Sequence, residues 1–323
     1  MAKSRKPREG SMAYYPRVKA KSIVPRFDYH GDKTTKDCRP MCYYGFKAGM
    51  TNVVAKNAHK GSVSYGQEIS LPVSVIEVPG LKVIGARFYK SNSTVLGKKA
   101  TVEFIVKDNS VSRKIKGKKE KKEKTIDEFL SKKNDADELT LLCMLNPKDA
   151  GFGQKHPAVI EVPLSGTLDL QINYLKDKLG KKISADEVFT SNDYIDVKGV
   201  TKGKGTQGAI KRFGVKVLRP KHQIQRHVGS IGPWHPATIM YTVPRAGQMG
   251  FHNRTEHNKR ILMIGEDASK VNPKGGFQNY GVVKNKYLVI SGSVPGVSRR
   301  IVTMRKGVRP VRSITEVTDI TFI

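Results

Sequence analysis

Residues 198–260 constrain the fold most. These 63 residues hold 13 Lys or Arg, a single acid (Glu256), nine Gly and four Pro, with apolar positions scattered between them. Such a stretch cannot bury much core. Ordering each residue costs roughly 1–2 kcal/mol of backbone entropy, so the segment is expected to need an external partner to hold it. The rest of the chain shares the sign of the charge. Of 323 residues, 59 are Lys or Arg and 28 are Asp or Glu, a formal net charge of +31. A field of that size suits a polyanionic partner, nucleic acid first and an anionic membrane surface second. No run of 18 apolar residues occurs and the opening MAKSRKPREG has no apolar stretch, so neither a membrane span nor secretion is expected. Three cysteines, Cys38, Cys42 and Cys143, are too few for a disulfide framework in a chain this long, which points to the reducing cytoplasm.

The charge is segregated along the chain: +8 over 1–50, +4 over 51–110, +6 over 111–124, −5 over 125–197 and +12 over 198–260. An acidic, solvated block therefore lies between basic ones. Residues 1–42 combine basic side chains with Pro7, Pro16, Pro25 and Pro40 and show no periodicity, so they read as an extended basic arm. From Tyr43 short β-branched and aromatic runs begin, and strands are expected at 71–78, 82–89, 101–106, 193–200, 287–291, 300–304 and 314–322. Helices are expected at 125–132, 167–179 and 184–189, each opening on Thr or Ser with acid in its first turn. The fold class is β-rich α+β. A barrel over 43–200 and 256–323 carries an α/β insertion at about 90–190, and residues 201–255 form a basic central finger.

Several motifs invite chemistry and are weighed against plainer readings. Gly203, Gly205 and Gly208 have the G-x-G-x-x-G spacing of a dinucleotide turn, but the following AIKRFGVKV is expected not to form a helix. No acid lies between Val197 and Thr255 to take a ribose hydroxyl. A bare Gly and Lys segment that lets phosphate approach the backbone is the better reading. HNRTEH, with His252, Glu256 and His257, has the wrong spacing for a metalloprotease. Cys38 and Cys42 with His30 make a poor zinc set, because no second Cys pair follows. His222, His227, His235, His252 and His257 sit among arginines with only Glu256 as a nearby carboxylate, which favours stacking and phosphate contact over acid–base catalysis. Trp234, the sole tryptophan, lies in Gly-Pro-Trp-His-Pro, a turn context that places it at a loop tip where an indole can stack on a base. The run 114–124 reads equally as a solvated basic stretch or an RNA contact.

The segments YGFKAGMT (44–51), VTKGKGTQGAIKRFGVK (200–216), GPWHPATIMYTVPRAGQMGFHNRTEHNKRI (232–261) and SGSVPGVSRR (291–300) resemble the universal large-subunit ribosomal protein L-three family in its archaeal and eukaryotic form. The resemblance is strongest over 195–300 and weakest over 90–190. It implies a split β-barrel of the translation-protein type, with the arm and the finger running into 23S-type rRNA and Trp234 at the finger tip near the peptidyl transferase centre, on its aminoacyl-tRNA side. It also implies early binding that helps nucleate subunit assembly, the ribosomal proteins L-fourteen and L-twenty-four-e as neighbours, and the elongation-factor site close by. His222 matches a histidine that eukaryotic relatives methylate. The rRNA-contacting residues expected are Lys3, Arg5, Lys6, Arg8, Arg17 and Lys19 in the arm, and Lys202, Lys204, Lys211, Arg212, Arg219, Lys221, His222, Arg226, His227, Trp234, His235, Arg245, Arg254 and His257 in and beside the finger. Arg299 and Arg300 complete the set. No catalytic residue, no cofactor and no zinc are expected; magnesium would belong to the rRNA. Two rivals stand beside this reading. A DNA-architectural protein would more often show a recognition helix or minor-groove wedges, and an RNA-modifying enzyme would need a cofactor loop or a paired acid and base.

Overall fold

The computed structural model describes residues 10–27, 37–91, 98–106, 126–309 and 317–322. Strands dominate among them. In chain order these are β1 (Cys42–Asn57), β2 (Glu68–Glu77), β3 (Leu81–Ser91), β4 (Lys98–Ile105), β5 (Glu138–Leu145), β6 (Ala158–Pro163), β7 (Lys182–Ile183), β8 (Tyr194–Val200), β9 (Thr206–Gln207), β10 (Gly247–Gln248), β11 (Asn253–Gly265), β12 (Tyr287–Ser291), β13 (Ile301–Lys306) and β14 (Val317–Phe322). The α-helices are α1 (Ile126–Leu130), α2 (Leu168–Lys178) and α3 (Ala209–Phe213). No described helix is long and apolar enough to cross a membrane. Contacts divide the chain into two units. The larger is Val24–Gly199 with Thr255–Ile323, and the smaller is Val200–Arg254 with the described part of Met1–Ile23.

In the larger unit six strands form a partly closed ring in the order β13-β8-β11-β12-β2-β1, where β1 pairs back to β13. The length of β1 makes this possible. Its first residues, Cys42 to Phe46, pair antiparallel with β13, whereas Val53 to Asn57 pair with β14. Along its other edge β1 runs antiparallel to β2, with a register shift between Lys47 and Gly49 that separates the two halves. Gly45 is required in the first half, because a Cβ there would lie 2.6 Å from Ile76 Cγ2 and 2.8 Å from the Glu77 carbonyl. A second antiparallel sheet, β4-β3-β5-β6 with β7 on β3, follows directly from β2 through Val78, Pro79 and Gly80.

One apolar core runs under both sheets. Tyr43, fully buried, donates from its hydroxyl to the carbonyls of Pro79 (3.0 Å) and Ile183 (3.1 Å), so the ring and the β7 turn share a fixed point. Phe46, Phe152 and Tyr280 meet edge to face with centroids 5.0 and 5.1 Å apart. Buried Glu77 is fully supplied with donors. The Tyr280 hydroxyl, the Lys284 and Asn285 amides (3.1 and 2.9 Å) and Asn285 Nδ2 (2.6 Å) all donate to it. Such a carboxylate holds the 277–285 loop against β2 at little desolvation cost.

The expected strands at 71–78, 82–89, 101–106, 193–200, 287–291 and 300–304 are β2, β3, β4, β8, β12 and β13, and β14 covers the described part of 314–322. β1, β5, β6, β7, β9, β10 and β11 lie outside the expected ranges. The helix expected at 167–179 is α2, with Asp169 in its first turn and Lys176 and Lys178 in its last. Its buried Gln171 accepts from Leu139 N (3.0 Å) and donates to the Leu164 and Gly166 carbonyls (3.2 and 3.0 Å), tying α2 to β5. The stretch expected as a helix at 184–189 stops at a single 3-10 turn, Ala185–Glu187. Its Ser184–Glu187 capping box is complete, but one turn with no room to propagate remains a nucleus only.

Candidate nucleic-acid interface

The smaller unit has almost no core. Of its described residues only Val200, Ala209 and Phe213 are buried hydrophobics. Its order comes from main-chain pairing. β9 and β10 pair antiparallel, and the amides of Lys204 and Met249 donate to the carbonyls of Met249 and Gly205, both at 2.9 Å. Gly250, at φ +71°, lets the chain turn back here, since a Cβ would stand 2.0 Å from the Lys202 carbonyl oxygen. The arm joins the same structure: Ala20 N donates to Phe251 O (2.8 Å), and His252 Nδ1 lies 2.8 Å from Val18 O.

The glycine motif is followed by a helix after all. Residues 209–213 form α3, entered from Gly208 and closed by Gly214 at φ +75° in the left-handed region. Ala209 and Phe213, four residues apart, are its buried pair, so one turn is stabilised by its contacts in spite of modest propensity. Phe213 is the anchor. Tyr15 stacks on it with centroids 6.3 Å apart, and the Arg17 guanidinium lies 4.4 Å from its ring centre.

A groove of about 390 Å³ opens beside α3. Arg17, Lys202, Lys204, Arg212, Arg254 and His252 line it, together with Thr201 and residues 248–250, and no carboxylate does. The electrostatic consequence falls on Arg212, whose pKa is depressed first by burial and then by the neighbouring charge of Arg17. Lys19 lies 5.6 Å from the Phe251 ring centre, and Arg254 sits 4.3 Å above Tyr14. Five of the cations expected from sequence to touch rRNA, from two distant parts of the chain, thus converge on one groove. Lys211 is exposed on α3, and the Arg245 carbonyl accepts from Arg212 Nη1 at 3.1 Å.

Beyond Gly214 the chain is a long exposed excursion. Arg219, Lys221, His222, Arg226, His227 and His235 are all exposed, and Trp234 is 88% exposed. Ile224, Ile239, Met240 and Tyr241 are exposed with it, so apolar and aromatic surface alternates with cations as a nucleic-acid surface needs.

Three of the expected residues belong to the larger unit. Arg299 has φ +68°, donates from its amide to Lys47 O (2.9 Å) and lies 5.8 Å from the Phe152 ring centre. Arg300, half-buried, has its pKa lowered by burial. His257 corrects a sequence argument. Glu256, the only acid near the histidines in sequence, pairs with Lys259 at 2.9 Å, whereas His257 Nδ1 lies 3.1 Å from the buried carboxylate of Asp196. Asp196 also accepts from Arg305 Nε and Nη2 (3.1 and 3.0 Å) and from Asn258 N (3.2 Å). A separation of 61 residues hid that partner, as a separation of 198 hid the pairing of Tyr15 with Phe213. Lys3, Arg5, Lys6, Arg8, His30 and the run 114–124 lie outside the described residues. Cys42 and Cys143 are buried and Cys38 half-buried; burial pushes the Cys38 thiol up to about 11. No group of three or more metal-ligating side chains occurs among the described residues.

The sequence matches the family described as Ribosomal protein L3 along residues 1–323. The chain belongs to that family. A protein named large ribosomal subunit protein uL3 from Methanocaldococcus jannaschii is 39% identical over 98% of this chain and 96% of its own length. Proteins of the same name from Methanococcus aeolicus and Archaeoglobus fulgidus are 41% and 40% identical, each over 99% of this chain and 97% of their own length. Similarity therefore extends through the 90–190 region, where the motifs were weakest. Members of the family are structural constituents of the large ribosomal subunit, a cytoplasmic particle, and are not enzymes.

Proposed function

We propose that this chain is a structural component of the large ribosomal subunit that binds its 23S-type rRNA, and that the smaller unit carries most of that binding. The observation behind this is the charge of Val200–Arg254: ten Lys or Arg and no Asp or Glu, on a segment with almost no core of its own. Released counterions drive association, and packing against RNA supplies the ordering that the exposed stretch beyond Gly214 cannot supply for itself. The larger unit, a split β-barrel of the translation-protein type in this reading, is the rigid anchor. Arg299, Arg300 and His257 add contacts from it. The only described α-helix of the smaller unit, α3, has five residues, too few to act as a recognition helix in duplex DNA, which favours structured RNA as the partner.

Within the subunit, Trp234 stands at the tip of the finger near the peptidyl transferase centre on its aminoacyl-tRNA side. Ribosomal proteins L-fourteen and L-twenty-four-e are neighbours, and early binding helps nucleate assembly. His222, exposed, is open to methylation; an unmodified mass for its peptide from native ribosomes would remove that point. No cofactor is required, and magnesium enters with the rRNA. The test is sedimentation of a cell lysate through sucrose at rising salt. Comigration with the large subunit at salt that strips loosely held factors is expected, and release into light fractions would refute the structural role.

A further inference from the structure

Two of the three arginines of the groove, Arg17 and Arg212, are engaged differently from the lysines beside them. Arg212 uses three nitrogens on carbonyls: Nε to Gln248 O (3.0 Å), Nη1 to Arg245 O (3.1 Å) and Nη2 to Arg17 O (3.1 Å). Arg17 answers with Nη1 to Arg212 O (3.2 Å) and Nη2 to Ser11 O (3.0 Å) while its plane covers Phe213. Each arginine therefore donates to the other's main chain across 195 residues of sequence. Lysine cannot replace either, because one ammonium group does not reproduce a planar fork that spans three carbonyls at Arg212 and two at Arg17. By contrast, the exposed ammonium groups of Lys202 and Lys204 have no hydrogen-bond or ion-pair partner among the described residues. The reciprocal pair brings two like charges together, and the groove offers no acid to balance them.

Resting on the rRNA reading above, we propose that this groove is a preformed seat for RNA backbone phosphate with a division of labour among its cations. Arg17 and Arg212 are positioning residues that latch the arm to α3 and to the β10 strand. Lys202, Lys204 and Arg254 take the phosphate oxygens. The uncompensated charge of the latched pair makes the seat selective for an anion, and the lining holds no Phe, Tyr or Trp on which a base would stack, which leaves bases mainly to other parts of the unit. The arm contributes Arg17 to the seat and the rest comes from residues 201–254, so arm and finger bind one stretch of RNA together.

The experiment uses the full chain and a labelled transcript of the large-subunit rRNA, with affinity measured across salt and limited proteolysis run in parallel. Lys202→Gln and Lys204→Gln should each reduce the log–log salt slope by roughly 0.7–0.9 while the cleavage pattern stays that of the wild type. Arg212→Lys keeps the charge but opens the latch. Cleavage within 200–254 should accelerate and affinity should fall several-fold at every salt with a smaller change in slope. Adding Lys202→Gln to Arg212→Lys should then cost less than it does in the wild type. A wild-type slope in both lysine variants, or wild-type proteolysis and affinity in Arg212→Lys, would overturn the seat alone. Failure of the wild-type chain to bind the transcript would overturn the rRNA reading and the seat with it.

Discussion

Asp196 shows how much one side chain can organise. It is 1% exposed yet receives the Arg305 fork, the Asn258 amide and His257, so the charge is buried but paired and fully hydrogen-bonded. Removing the carboxylate takes two hydrogen bonds from the Arg305 guanidinium, whose side chain is only 18% exposed. Asp196→Ala is therefore expected to destabilise the larger unit by about 3 kcal/mol, read as a lower urea midpoint; a shift under about 1 kcal/mol would refute the pairing argument. Trp234 is the opposite case. At 88% exposure it contributes no core, so Trp234→Ala should leave stability unchanged and rRNA affinity nearly so, because one stacking contact is small beside many phosphate contacts. The effect should appear in tRNA accommodation by ribosomes that assemble normally. Unchanged translation by those ribosomes would count against its place at the tip. The exposure of Trp234 was legible from its Gly and Pro neighbours, whereas the partner of His257 was not, because it lies on another strand.

Among the elements, α1 has a single fully buried residue, with Ile126 and Leu130 partly buried against the same core. Phe129 is fully buried and stacks on Phe88 of β3 with centroids 4.2 Å apart and planes at 4°, beside Phe104 of β4. Phe129→Ala should cost about 3–5 kcal/mol, since a five-residue helix has no cooperative stability with which to fill the cavity. Urea unfolding of the full chain reads this directly, and a loss below about 1 kcal/mol would show the ring contact to be incidental. Elements with uniform patterns were readable in advance: β2, β3 and β12 are rich in β-branched or aromatic residues, and α2 carries acid at its start and base at its end. β11 was not, because its first eight residues, NRTEHNKR, are polar, all but Arg260 at least partly exposed, and only ILMI looks like a strand. α3 was missed for a related reason. Local propensity disfavours it, and the buried side of Phe213 together with the left-handed Gly214 decides otherwise.

At the scale of the whole molecule the charge sets the thermodynamics. If each of the ten cations of Val200–Arg254 met a phosphate, the salt slope of rRNA binding would reach roughly −7 to −9 in log–log form, and arm contacts would steepen it further. Filter binding between roughly 50 and 200 mM salt measures it, and a slope near −1 would show that binding is not electrostatic. The expectation of a polyanionic partner, the scarcity of core in 198–260 and the alternation of strands with short helices all follow from composition and local pattern, because charge and periodicity act at short range along the chain. The ring closed by a 16-residue β1, the Asp196 cluster and the Arg17–Arg212 latch were decided only in three dimensions. Each depends on groups tens to hundreds of residues apart finding one another through strand register and hydrogen-bond geometry, which composition and local pattern do not encode.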